Sequence, residues 1–252
     1  MTEGEHDRFT KIESEDFMND PLGIGSDTIP ESSNKNIENQ KYTSTYKIII
    51  IGDQNVGKTS ILSRFIDNKF EKQYQCTLSS ENKNKNLRID ENNIAQLQIW
   101  DTAGEERFRS VTRQFFHDSH GALIVYSIDD RNSFEKVNTW INDLKNNAPE
   151  DCVIMIVGNK SDLNYNRKVE SEEAKNFAEK NSCLFNEVSA KNGSNIAMVF
   201  EQLAFKIFNV QKEREKLGEK VMRKNERKGK NLEDIDPDIH REQKKVKCCL
   251  GK

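Results

Sequence analysis

The stretch Tyr46-Lys47-Ile48-Ile49-Ile50-Ile51-Gly52-Asp53-Gln54-Asn55-Val56-Gly57-Lys58-Thr59 decides the fold. An apolar run of strand type ends at Gly52, and from that glycine onward the chain satisfies the pattern Gly-x-x-x-x-Gly-Lys-[Ser/Thr] between a strand and a helix. Glycines at 52 and 57 let the loop curl until successive N–H groups point inward at an anion. The helix that opens near Lys58 adds the positive end of its dipole. In that arrangement Asp53, Gln54, Asn55, Val56, Gly57, Lys58, Thr59 and Ser60 line a polyphosphate. Lys58 then sits between the β- and γ-phosphates, and the Thr59 hydroxyl takes one position on an octahedral Mg²⁺.

A second word, Asn159-Lys160-Ser161-Asp162, lies a hundred residues on, directly after the apolar run Cys152-Val-Ile-Met-Ile-Val157-Gly158. Ligands of open α/β sheets bind beyond the carboxyl ends of strands, which is where this word falls. A carboxylate at Asp162 accepts from both the ring N–H and the exocyclic amine of guanine. Adenine offers a lone pair where guanine has that N–H, so it is rejected by leaving polar groups unpaired. Asn159 and Lys160, with Leu163 beside them, tie this loop to the phosphate loop and cover the base. The two words together predict a protein that binds GTP and GDP. They disfavour a P-loop kinase or ATPase that uses ATP.

The chain has 252 residues and a net charge of −3, room for one domain plus appendages. Residues 1–44 are rich in Glu, Asp, Ser and Asn with few regularly spaced apolar positions, and read as a disordered acidic arm. Residues 45–210 hold the alternating apolar segments of a domain, and 211–252 form a charged tail in which Lys and Arg outnumber Asp and Glu. No apolar run nears the roughly 20 residues of a membrane span, and the N-terminus lacks the apolar centre of a signal peptide. A cytosolic location is expected. Cys76, Cys152 and Cys183 are scattered singly and read as ordinary small side chains, Cys76 exposed; His117 and His120 read as surface or satisfied polar positions.

Strands are predicted near 46–51, 84–90, 94–100, 121–128, 152–158 and 183–188, and helices near 58–68, 133–147, 171–181 and 195–209. Phe134, Val137, Ile141 and Leu144 make one apolar stripe behind a Ser133 cap, and Ile196, Phe200, Leu203 and Ile207 make another. Both are read as core, as are Trp100 and Trp140. The alternation gives an α/β fold with a mostly parallel six-stranded sheet covered by helices on both faces, and Asp90-Glu-Asn-Asn93 joins one antiparallel hairpin strand to it.

Downstream lie Phe70-x-x-x-Tyr74-x-x-Thr77, Trp100-Asp-Thr-Ala-Gly104-Glu-Glu-Arg-Phe-Arg109 and Ser189-Ala190-Lys191. With these, residues 44–209 resemble the Rab family of Ras-like small GTPases. The likeness extends to Leu97-Gln-Ile-Trp100, Arg107-Phe-Arg-Ser-Val-Thr112, Ile124-Val-Tyr126 and the helix around Trp140. It implies a P-loop NTPase of the Ras-like G-domain type. It also implies roles. Thr77 binds Mg²⁺ and senses the γ-phosphate, Asp101 holds a magnesium-bound water, and Gly104 contacts the γ-phosphate through its N–H. Phe70 packs against the base with Tyr74 nearby, and Ala190, between Ser189 and Lys191, meets the guanine oxygen. Loss of the γ-phosphate releases both switch loops.

Two departures from the family pattern stand out. After Thr77 the chain reads Leu78-Ser-Ser-Glu-Asn82, polar where effectors meet an apolar patch. Glu105 occupies the place of the glutamine that orients the attacking water. A glutamate there joins Lys58, Thr77 and Gly104 in the catalytic set, but when ionised it only accepts hydrogen bonds, so slow intrinsic hydrolysis is expected. A non-hydrolysing, GTP-dependent scaffold is the alternative.

The end of the chain reads Lys244-Lys-Val-Lys247-Cys248-Cys249-Leu-Gly-Lys252. It resembles the paired-cysteine endings that receive two geranylgeranyl groups, with lysines suited to an anionic leaflet. Residues 211–230 either extend the last helix through Glu/Lys pairs or form a flexible tether. The expected partners are guanine nucleotide, effectors, exchange factors, GTPase-activating proteins and the cytosolic face of endomembranes. Nucleic acid is not among them, since the basic residues crowd the tail. The expected role is a switch in vesicle traffic.

Overall fold

Ile48, Ile49, Ile50 and Ile51 are all fully buried, and their side chains alternate between two apolar layers on opposite faces of one sheet. The structure is a computed structural model that describes residues 43–71, 81–102 and 114–227. Tyr74, Cys76, Thr77, Gly104, Glu105, Cys248 and Cys249 lie outside the described residues. Along the chain run β1 (Ser44–Gly52), α1 (Lys58–Asp67), β2 (Glu81–Arg88), β3 (Ile94–Asp101), β4 (Gly121–Ser127), α2 (Arg131–Glu135) and α3 (Val137–Asn147). They are followed by β5 (Val153–Asn159), a 3₁₀ turn (Ser161–Asn166), α4 (Ser171–Lys180), β6 (Leu184–Glu187) and α5 (Ile196–Arg227).

The sheet order is β2-β3-β1-β4-β5-β6, parallel throughout except for β2, which pairs antiparallel with β3. That hairpin closes on Asp90, whose carboxylate accepts from the N–H groups of Asn92 (2.9 Å) and Asn93 (2.8 Å). Such short side chains mimic a backbone turn. The mostly parallel α/β architecture is the one the sequence predicts.

One apolar layer gathers Ile48 and Ile50 with α1 and α5; Phe65 and Phe200 stack there with ring centroids 3.9 Å apart. Ile196, Phe200, Leu203 and Ile207 all turn inward, as their helical spacing requires. The other layer packs Ile49 and Ile51 against α2, α3 and α4 and buries Phe134, Val137, Trp140, Ile141 and Leu144. The expected Ser133 cap is corrected. Asp130, in extended backbone conformation, caps α2 by accepting from Asn132 N–H (3.1 Å). Ser133 is buried inside the turn, where its Oγ donates to Asp130 O (2.7 Å) and accepts from Ser127 N–H (3.0 Å). Of the two alternatives for residues 211–230, the helix holds as far as Arg227.

Candidate nucleotide-binding site

All five parallel strands deliver their carboxyl ends to one edge of the sheet, and the motif residues follow those ends. Gly52 closes β1 with φ 140°, and a Cβ placed on it would fall 2.2 Å from Val125 O on β4. The glycine is therefore demanded by the neighbouring strand as well as by the turn. Asn55, with φ 60°, takes a left-handed conformation that asparagine tolerates better than most residues. Gly57 (φ 93°) is the N-cap of α1 and makes no side-chain cap bond to its first turn. Lys58 is only 5 % exposed and points back across the loop, donating to Gly52 O (3.0 Å) and Asp53 O (2.7 Å). The ammonium is thus held at the centre of the curl.

Asp101, buried at the end of β3, sits opposite Ile50 in the register of the sheet. That placement carries its carboxylate to the Thr59 hydroxyl, which donates to Oδ2 at 2.5 Å. A hydroxyl and a carboxylate converging at the mouth of the loop are the oxygen donors a small hard cation takes. The two residues fit Mg²⁺. The next residue, Thr102, fixes the strand end by donating to Ile50 O (2.8 Å).

Asn159 joins three loops. Its Nδ2 donates to Val56 O of the phosphate loop (2.8 Å), and its Oδ1 accepts from Ala190 N–H (3.2 Å). Crowding explains Gly57 a second time, since a Cβ there would lie 2.3 Å from Asn159 Nδ2. Lys160 adopts a left-handed backbone (φ 66°), and its ammonium approaches Asp129 Oδ1 at 3.8 Å. Leu163 follows within the 3₁₀ turn, a short element the periodicity did not reveal. Asp162 is oriented by Ser189, whose Oγ donates to Oδ1 (2.6 Å), while Lys191 Nζ lies 3.4 Å from Oδ2. Phe70, partly buried, packs at the margin of the α1 and α5 core. Gln54 is exposed and Ser60 half-buried.

Three supporting contacts had no signature in the sequence. Lys136, between α2 and α3, places its ammonium 2.8 Å from Asp53 Oδ2 and braces the phosphate loop. Arg167 makes a two-pronged pair with Glu187 (2.7 and 2.8 Å), which ties the segment after Asp162 to the strand before Ser189. Arg64 of α1 donates from Nε to Ala190 O (2.9 Å) and from Nη2 to Lys191 O (2.8 Å). Each links residues at least 20 positions apart, beyond any local spacing rule.

Residues 47–209 match the Ras family. The chain belongs to the Ras family. Among its relatives, the Ras-related protein Rab-11C of Dictyostelium discoideum is 44% identical over 165 residues, covering 66% of this chain and 73% of the relative. The Ras-related protein RABA1c of Arabidopsis thaliana is 39% identical over 170 residues, 68% of this chain and 78% of the relative. Rab-11A of Dictyostelium discoideum is 39% identical over 171 residues, 68% and 79%. The chain is a Rab-type small GTPase: it hydrolyses GTP and regulates membrane traffic. A non-hydrolysing scaffold is not favoured. Ras-family GTPases bind guanine nucleotides, generally with Mg²⁺, and act through regulators and effectors. No helix among the described residues is long and apolar enough to cross a membrane.

Proposed function

We propose that the three loops joined by Asn159 form one guanine-nucleotide site, in which this Rab-type GTPase cycles between GTP and GDP. The observation that carries the reading is the pair of bonds from one buried Asn159 side chain to Val56 O and Ala190 N–H. It joins the loop after β1 to the loops after β5 and β6, which supports one ligand spanning a phosphate-gripping and a base-reading loop. Backbone amides of residues 53–60 and the Lys58 ammonium hold the phosphates. Thr59, Asp101 and, from the first switch, Thr77 hold Mg²⁺, which when bound neutralises charge on the phosphate oxygens. Phe70, Lys160 and Leu163 flank the base, Asp162 accepts from its N–H groups, and Ala190 donates to its oxygen. Gly104 and Thr77 would tether the switches to the γ-phosphate, and Glu105 would take the place of the residue that orients the attacking water.

Geranylgeranylation at Cys248 and Cys249 would attach the protein reversibly to endomembranes, since one lipid chain alone gives only marginal binding. Asp162→Asn tests the site. An amide donates to the 2-oxygen of xanthine but opposes the amine of guanine. GDP affinity is expected to fall about 100-fold while XDP affinity rises, because each mispaired buried polar contact costs roughly 1–3 kcal/mol. An unchanged preference for GDP over XDP would mean that this carboxylate does not read the base.

A further inference from the structure

The guanidinium of Arg64 sits behind the base-reading loops, away from the phosphate grip, and all of its reach is directed at backbone carbonyls and the end of its own helix. Nη1 donates to Asn68 O (2.9 Å) and Asn68 Oδ1 (3.0 Å), which pins the side chain to that helix end. Nε and Nη2 then take Ala190 O and Lys191 O, two successive carbonyls of one loop. A planar fork meets such a pair in a way that an ammonium does not.

A peptide unit is flat, so a carbonyl held on one side aims the next residue's N–H to the other. Fixing Lys191 O therefore aims Asn192 N–H, which donates to Ser189 Oγ at 3.3 Å. A hydroxyl has one proton, and this one goes to Asp162 Oδ1 at 2.6 Å. The bonds run in one sense, from Arg64 through the Lys191–Asn192 peptide and Ser189 to the carboxylate, and successive bonds of this kind polarise one another. We propose that Arg64 is a positioning residue for base selection: it aims Asp162 through this chain without touching the nucleotide. The proposal rests on Asp162 being the guanine acceptor. A simple staple between α1 and the loop would alter stability alone; a residue that aims the carboxylate alters which base is held.

The test compares release of GDP with release of IDP, which keeps the ring N–H but lacks the exocyclic amine. In the wild type IDP is expected to leave faster than GDP. In Arg64→Ala, GDP release is expected to accelerate about 10-fold, the effect of roughly one lost charged hydrogen bond. IDP, with one contact fewer to lose, accelerates less, so the gap between the two narrows. Arg64→Lys, which keeps the charge without the fork, narrows it part-way and carries the test if the alanine variant does not fold. Adding Arg64→Ala to Ser189→Ala should narrow the gap no further, because both act on one chain. Equal acceleration of both nucleotides, no acceleration, or additive effects with Ser189→Ala would overturn the proposal. A wild type that holds ADP as well as GDP would instead defeat the reading of Asp162 itself.

Discussion

In the proposed site, Asn159 and Glu105 would divide the work between holding the nucleotide and cutting it. Asn159 is 2 % exposed and connects the phosphate and base loops, so it bears on whether nucleotide is held. Glu105, in the site we propose, would bear on how fast the nucleotide is cut. A glutamine accepts from water and donates to developing charge; an ionised glutamate only accepts, and beside the γ-phosphate it would add a negative charge. Intrinsic single-turnover hydrolysis by Glu105→Gln is therefore expected to exceed that of the wild type by roughly 10- to 1000-fold, the order seen for one transition-state donor. Equal rates would mean that the carboxylate is harmless. A partner that supplies its own donors restores turnover to the wild type, since phosphoryl transfer depends mainly on positioning and charge neutralisation.

At the scale of elements, β1 and β4 are held at their entry by His120. Its Nδ1 accepts from Lys47 N–H (3.0 Å), and its own backbone N–H donates to Lys47 O (2.9 Å). Burial, with help from Lys47 and Arg214 and against Asp151 and Asp118, pushes the imidazole below its ordinary value of 6.5. The folded state thus prefers the neutral ring. Its contribution is complete above pH 6.5 and is lost as pH falls through the lowered folded value. Urea unfolding at about pH 7.5 and about pH 5, above and below the ordinary imidazole value, should show a smaller loss of stability for His120→Asn, whose side-chain oxygen still accepts from Lys47, than for the wild type. Equal losses would place the acid sensitivity elsewhere.

The elements themselves were legible because each carried a local signal. The isoleucine run, the glycines of the phosphate loop and the stripes on α3 and α5 fixed strand, turn and helix faces by spacing alone. The two site words named Thr59, Asn159 and Asp162, the family resemblance added Asp101, and the sheet brought them to one edge. What stayed hidden was long-range or set by local competition. Arg64, Lys136 and the Arg167–Glu187 pair depend on tertiary contacts with no periodicity. Ser133 and Asp130 are both good cap residues, and only the path of the chain decides which one caps.

Over the whole molecule, the G domain and the charged tail are continuous through α5, whose 32 residues measure about 48 Å at helical rise. Beyond it lies Cys248-Cys249, set among lysines. If both thiols carry lipid, protein isolated from its native cells shows two geranylgeranyl masses, and Cys248→Ser with Cys249→Ser moves the protein from the membrane fraction to the supernatant. Unmodified thiols would remove the anchor. Base choice is the central property of the proposed site, and titration calorimetry of the nucleotide-stripped protein with Mg²⁺ tests it most directly. The expected result is binding of GDP and GTP at least about 1000-fold tighter than ATP, the scale on which polar readout rejects the wrong partner. Equal affinity for guanosine and adenosine triphosphates would contradict it.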